Sequence, residues 1–285
     1  MTDTTATDPV PGPNSDADRA LKAKHRTMWA AGDYPRVATE IIAEFGPTLV
    51  EACQIGPGDR VLDVAAGSGN VALPAAAAGA QVVASDLTPE LFPGGQQAAA
   101  ERGLELEWRE GDAEALPFED GAFDKVVSAV GVMFAPHHQL AADELVRVCR
   151  SGGTIGLVSW TPGGFIGQMF AAMKPFAPPP PPGAQPPPLW GDEEHVRALL
   201  GDRVEGVTTD KRAVRVEQFD QPEGYREYFK SYYGPTIAAY NFNSADPAKV
   251  AGLDDALAEV GRRFDIGDGS TVLEWEYLLL TCQVV

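Results

Sequence analysis

The sequence is poor in cysteine and in basic residues and has no long apolar run, and each shortage excludes a class of function. Three cysteines in 285 residues (Cys53, Cys149, Cys282) are odd in number and far apart. A disulfide framework or a zinc cage needs a different pattern, so three buried thiols in a reducing cytoplasm are expected, with no metal. Lysine and arginine number 22 against 41 acidic side chains, a formal charge of −19. Nucleic acids and anionic membranes are bound by neutralising phosphates with cations, so this chain repels both. No segment reaches the roughly 18 consecutive apolar residues of a membrane span. The first twenty residues are acidic and rich in Pro and Thr, unlike a signal peptide. A cytoplasmic protein acting on a small molecule remains.

Along the chain, residues 1–20 predict a disordered acidic arm, and 21–55 predict helices. Asp33 is placed to cap a helix over 34–45 that carries Pro35 in its first turn, and Gly46-Pro47 separates it from a helix over 48–53. Residues 56–160 alternate short apolar runs with helical patterns. Strands are expected at 60–64, 81–85, 104–110, 125–130 and 154–159, with helices over 70–78, 89–102 and 139–149. Pro93-Gly-Gly95 weakens the second of these helices. That order predicts an α/β, doubly wound, Rossmann-like sheet with helices on both faces. Residues 161–203 form a proline-rich flap and a helix over 193–200. Nine of the 24 prolines fall between Pro175 and Pro188, a stiff polyproline spacer. Residues 204–285 read as two long strands, 204–216 and 272–285, flanking a helical cap over 221–265.

The run Val61-Leu-Asp-Val-Ala-Ala-Gly-Ser-Gly-Asn-Val-Ala72 is a strand ending in a glycine turn that opens a helix. Gly67 and Gly69 let a ligand approach the backbone closely. Taken alone, Gly67-Ser-Gly69-Asn-Val-Ala72 also fits a dinucleotide fingerprint. Three acids narrow the choice. Asp63 lies before the turn, where phosphates would be repelled but an amino acid's ammonium is suited. Asp86 ends the second strand, where a carboxylate accepts two ribose hydroxyls. Asp112 follows the third strand and is placed to accept from an adenine amino group. A nucleoside carrying an amino acid and no phosphate is S-adenosylmethionine.

These residues resemble the class I S-adenosylmethionine-dependent methyltransferases. The branch that looks nearest includes the ubiquinone and menaquinone biosynthesis C-methyltransferases and many actinobacterial small-molecule methyltransferases. The pieces that carry the likeness are Leu62-Asp-Val-Ala-Ala-Gly-Ser-Gly69, Ser85-Asp-Leu-Thr-Pro-Glu90, Gly111-Asp-Ala-Glu-Ala-Leu-Pro-Phe118, Phe123-Asp-Lys-Val-Val-Ser128 and Leu145-Val-Arg-Val-Cys-Arg-Ser-Gly-Gly153. Ala65 stands where the family has its first glycine, and Ser151 where many relatives have proline. The resemblance implies a seven-stranded sheet of order 3-2-1-4-5-7-6 with strand 7 antiparallel. It implies that Asp63, Ala65 and Gly67 line the methionine end, with Gly69 in the same cofactor-binding turn, Asp86 and Leu87 the ribose, and Asp112 and Ala113 the adenine. Ser128 would pass beneath the methyl, and the N-terminal helices would cover the donor.

Methyl transfer requires alignment and exclusion of water, and a base only for a protonated acceptor. The candidates are His137 and His138, in the loop after the fourth strand, and Tyr34; the alternative for the histidines is that they open the next helix and face water. His25 and Trp29 lie near the donor as well. Tyr225, Tyr228, Phe229, Tyr232 and Tyr233 on the cap, with Phe165, Phe170 and Trp190 beside the flap, are either packing or walls of a pocket. A small, largely apolar acceptor (aromatic, indolic, quinol or isoprenoid) is expected, with carbon slightly favoured over oxygen and nitrogen, and a homodimer is permitted. The rival readings are a non-catalytic S-adenosylmethionine-binding protein and an NAD(P)-dependent oxidoreductase.

Overall fold

The computed structural model describes residues 15–285. Most of the expected acidic arm therefore lies outside the described residues. Its last part does not fit the expectation: helix α1 (Asp16–Ala30) starts there, capped by the Ser15 hydroxyl accepting from the Asp18 amide at 3.2 Å. Ser15 supplies the acceptor that the first turn lacks, and Asp16 and Asp18 complement the helix dipole.

Seven strands form one sheet in the order β3-β2-β1-β4-β5-β7-β6. They are β1 (Arg60–Val64), β2 (Gln81–Asp86), β3 (Glu107–Glu110), β4 (Phe123–Ala129), β5 (Cys149–Trp160), β6 (Val204–Val216) and β7 (Leu273–Val284). Strands β1 to β5 pair in parallel, and β7 runs antiparallel to both β5 and β6. This is the order that the sequence resemblance implies. Val61, Leu62 and Val64 are buried because β1 lies centrally, covered on both faces. Strand β6 is one of the two edges, and most of its residues, Asp210, Lys211 and Arg212 among them, are exposed. Charges there discourage pairing with another chain.

Helices α2 (Tyr34–Glu40) and α3 (Phe45–Ala52) follow α1. Asp33 caps α2 as expected, accepting from the Arg36 amide at 3.2 Å. The helix is shorter than its pattern, and Gly46-Pro47 falls inside the first turn of α3 rather than between helices. Proline is tolerated in a first turn because its missing donor would have no partner there. Helix α4 (Ala72–Ala77) follows the glycine turn, and α5 (Phe92–Glu101) forms despite its two glycines. Gly95 is needed: a β-carbon there would sit 2.4 Å from the Ser68 carbonyl oxygen, so α5 packs directly on the turn.

Helix α6 (His138–Val148) packs on β4, β5 and α8 (Glu193–Leu200). Helices α7 (Phe165–Met173), α9 (Gly224–Tyr232), α10 (Gly234–Asn243) and α11 (Pro247–Phe264) build the cap. The cap meets the N-terminal helices directly, with the Asp33 amide donating to the Tyr232 carbonyl at 3.0 Å. The proline-rich stretch is fastened to the loop after β4, where the Gln185 amide donates to the Pro136 carbonyl at 2.9 Å. No described helix is long and apolar enough to cross a membrane.

Candidate active site

Ala65 and Gly67 take φ values of 56° each, in the left-handed region that admits alanine only at a cost. This tight turn directs the Gly67 amide to the Asp86 carboxylate at 2.7 Å, and the other oxygen of Asp86 accepts from the Thr88 amide at 2.7 Å. One strand further in, Asp63 accepts from the Ala72 amide at 2.8 Å, at the start of α4. Burial pushes the Asp63 carboxyl up to about 7 and that of Asp86 up to about 6. The backbone bonds oppose both shifts.

A cleft of about 650 Å³ opens over this turn. Ala65, Gly67, Asp86, Leu87, Asp112 and Ala113 all line it, so six of the nine expected donor residues come together. The other three do not face it. Asp63 is buried at the α4 terminus, where its carboxylate serves the helix amide instead of an ammonium group. Gly69 packs against the Trp108 ring. The Ser128 hydroxyl donates to the Val64 carbonyl at 2.7 Å and accepts from the Val132 amide at 2.9 Å. It therefore ties the end of β1 to the loop after β4, and has no position beneath a methyl group.

The expected bases are also relocated. His137 is buried against Glu114 at 3.0 Å, with its other ring nitrogen 3.3 Å from the Pro182 carbonyl. His138 opens α6, yet it is buried rather than solvated. Its Nδ1 lies 3.0 Å from His195 Nε2, and burial, then His195, push its pKa down to about 4. Neither ring lines the cleft. Tyr34 does, but burial and the nearby Asp86 and Asp63 raise its phenol pKa, so it stays protonated. The imidazole in the cleft is His25, held below its ordinary pKa by burial and by Lys22, against the pull of Glu114. It is neutral at physiological pH.

Lys22 is the residue that sequence reasoning missed. From α1 it reaches Glu114 at 2.6 Å and Asp112 at 3.1 Å. Burial pushes the Glu114 carboxyl up, but bonds from Lys22 and His137 outweigh it and hold the group below its ordinary value. A lone lysine on an amphipathic helix gives no sequence signal of this; only its placement opposite two acids does.

A second, smaller chamber adjoins the cleft, and Tyr34, Val130 and Phe134 line both. Val130 has a φ of 47°, a sterically strained value for a β-branched residue. The far walls are Ile166, Trp160, Phe229, Tyr233 and Trp275. Of the cap aromatics, only Phe229 and Tyr233 reach the chamber. Tyr225 donates to the Leu257 carbonyl at 2.6 Å, Phe165 stacks on Trp275, and Trp190 packs on His138. Phe170 touches the rings of Phe134 and Tyr233 from behind.

Comparison with known proteins matches this geometry to a family. The family model described as a methyltransferase domain matches residues 62–157. Two uncharacterized proteins of Mycobacterium tuberculosis are 53% and 51% identical to this chain, over 93% of it and 96% of their own length. The YcgJ protein of Bacillus subtilis shares the fold, with a TM-score of 0.58 at 20% identity over 84% of this chain and 97% of its own. The matched segment runs from β1 into β5, so this part of the chain is similar to a methyltransferase domain, and the chain as a whole shares the fold of its structural neighbour. The demethylmenaquinone methyltransferase of Thermus thermophilus is 41% identical, but only over 105 residues, 36% of this chain and 48% of its own. The finer assignment to a quinone-methylating branch therefore does not follow for this chain.

The cleft offers acceptors for a polar ligand. Asp86 keeps lone pairs beyond its two amide bonds, and Asp112 lines the same cleft. A dinucleotide suits it poorly: the turn amides that would cradle a pyrophosphate already donate to Asp86 and Asp63.

Proposed function

We propose that this protein moves the methyl group of S-adenosylmethionine to a small, largely apolar metabolite seated in the aromatic chamber, leaving S-adenosylhomocysteine. The observation that carries the reading is the shared wall of Tyr34, Val130 and Phe134 between a polar cleft and an apolar chamber. The bound donor supplies an electrophilic methyl carbon on a positively charged sulfur. The chain's own part is to hold donor and acceptor in line and keep water out, which can supply much of the rate enhancement. Tyr34 stands at the junction as a protonated phenol that donates a hydrogen bond. Trp29 and Phe134, in edge contact at 4.7 Å between centroids, present ring faces that suit a sulfonium. His25, neutral and in the cleft, takes the proton that an acidic acceptor gives up.

Two measurements test this. Calorimetric titration should give micromolar binding of S-adenosylhomocysteine and none of NADH; the reverse moves the protein to the oxidoreductases. With donor and a panel of apolar acceptors, formation of S-adenosylhomocysteine should fall about 100-fold in His25→Ala and be kept in His138→Ala. Donor binding with no turnover on any acceptor would favour a non-catalytic binding protein.

A further inference from the structure

The chamber is apolar but not featureless. Two phenol groups line it, those of Tyr34 and Tyr233. Both side chains contact the Trp29 ring, at 5.6 and 5.7 Å between centroids, and each phenol lies close enough to influence the other. Every other buried tyrosine of the cap spends its hydroxyl on the protein: Tyr225 on the Leu257 carbonyl at 2.6 Å and Tyr240 on Asp254 at 2.6 Å. The Tyr34 and Tyr233 hydroxyls have no hydrogen-bond partner among the described residues. Trp275, whose buried indole N–H also lacks one, stands in the same wall. Donors gathered without acceptors in an apolar space are costly unless a ligand supplies the acceptor.

Charge limits the ligand further. Among the described residues no charged side chain lines the chamber, and the lysine at the neighbouring cleft, Lys22, is engaged by Asp112 and Glu114. A phosphate or carboxylate would enter unpaired, among acids.

We propose that the acceptor is an uncharged cyclic molecule bearing an oxygen function, held by the Tyr34 and Tyr233 hydroxyls and seated among Phe134, Phe229 and Trp275. This rests on the methyltransferase reading and narrows it: phosphorylated isoprenoids and aromatic acids are excluded, and phenols or cyclic ketones are admitted. Tyr34 positions the oxygen beside the donor cleft, and Tyr233 selects for its presence.

The test is a binding measurement, independent of turnover. Protein saturated with S-adenosylhomocysteine is titrated with 1-naphthol, naphthalene, 1-naphthoate and 1-naphthyl phosphate, followed by tryptophan fluorescence. The expected order is 1-naphthol at least about tenfold tighter than naphthalene, with neither anion binding. Tyr233→Phe should erase most of that preference while leaving naphthalene affinity unchanged. Naphthalene binding as tightly as naphthol, either anion binding comparably, no ligand of the four binding, or an intact preference in Tyr233→Phe each overturns the proposal. Prior saturation with S-adenosylhomocysteine reads the donor site separately, so failure of the methyltransferase reading would be seen as absent donor binding.

Discussion

Asp86 carries two loads on one carboxylate: it pins the glycine turn through Gly67 and Thr88, and it faces the donor cleft. Its folded pKa of about 6, with about 7 for Asp63, lies above the ordinary aspartate value of 3.8. Both groups bind protons more tightly in the folded chain than in the unfolded one. Their contribution to stability is therefore complete below about pH 4 and is lost as pH rises through about 6 and 7. A cationic donor reverses the preference by favouring the ionised carboxylates. Donor affinity should accordingly increase between about pH 5.5 and 7.5, with protons released on binding; calorimetry in buffers of different ionisation enthalpy reads both. Asp86→Asn should weaken S-adenosylhomocysteine binding by about 1.5–3 kcal/mol, and an unchanged dissociation constant in a folded variant removes Asp86 from the ribose site. Ser128 makes the contrasting case. Ser128→Ala deletes two buried hydrogen bonds and should cost about 1–3 kcal/mol of stability by denaturant unfolding. Because the hydroxyl has no place in the cleft, donor affinity should stay within about threefold.

At the scale of elements, α1 is fastened to the two loops that line the cleft. Lys22 joins it to Asp112 and Glu114 after β3, and Arg26 joins it to Glu90 after β2 and Glu110 at the end of β3. The two ties differ in worth. The Arg26 pairs are exposed and screened, so they contribute little. The Lys22 pairs are buried, and removing the cation strands two acids. Lys22→Ala should lower unfolding free energy by about 3 kcal/mol, and Lys22→Ala combined with Glu114→Gln should lose less than the sum of the single changes. Simple additivity in that cycle would show that the pair is not coupled. The cap has its own division of labour. Tyr225 locks α9 to α11, while Phe229 and Tyr233, four residues apart and in ring contact at 4.7 Å, face the chamber.

For the whole molecule, the excess of 41 acidic over 22 basic side chains leaves a charge of −19. Fourteen of the 22 basic residues sit in ion pairs, most of them on an exposed surface, and the remaining acids repel one another. Screening that repulsion should outweigh the loss of weak surface pairs. The midpoint of thermal unfolding should therefore rise when NaCl is increased from about 20 to about 300 mM; a fall would show that ion pairs dominate instead.

The sheet was legible in the sequence because parallel strands buried on both faces read as short apolar runs between helical patterns, and the bounds of α7, α8 and β6 follow their patterns closely. That six of the singled-out residues meet in one cleft was legible because a glycine turn and the acids following the next two strands come together at one edge of any such sheet. Local sequence also determined the Asp33 cap. It did not determine which polar side chains face a cavity, since that depends on what packs over them. Asp63, Ser128, His137 and His138 all lie next to the site in sequence, but tertiary packing turns each toward a backbone group or a second buried side chain. Lys22 and His25 are far from it in sequence, and α1 folds back to deliver them. The chamber was decided by tertiary structure alone, because its walls come from α2, the loop after β4, β5, α7, the cap and β7. A periodic pattern fixes which face of an element is apolar; only the assembled fold decides whether that face closes on a neighbour or leaves room for a ligand.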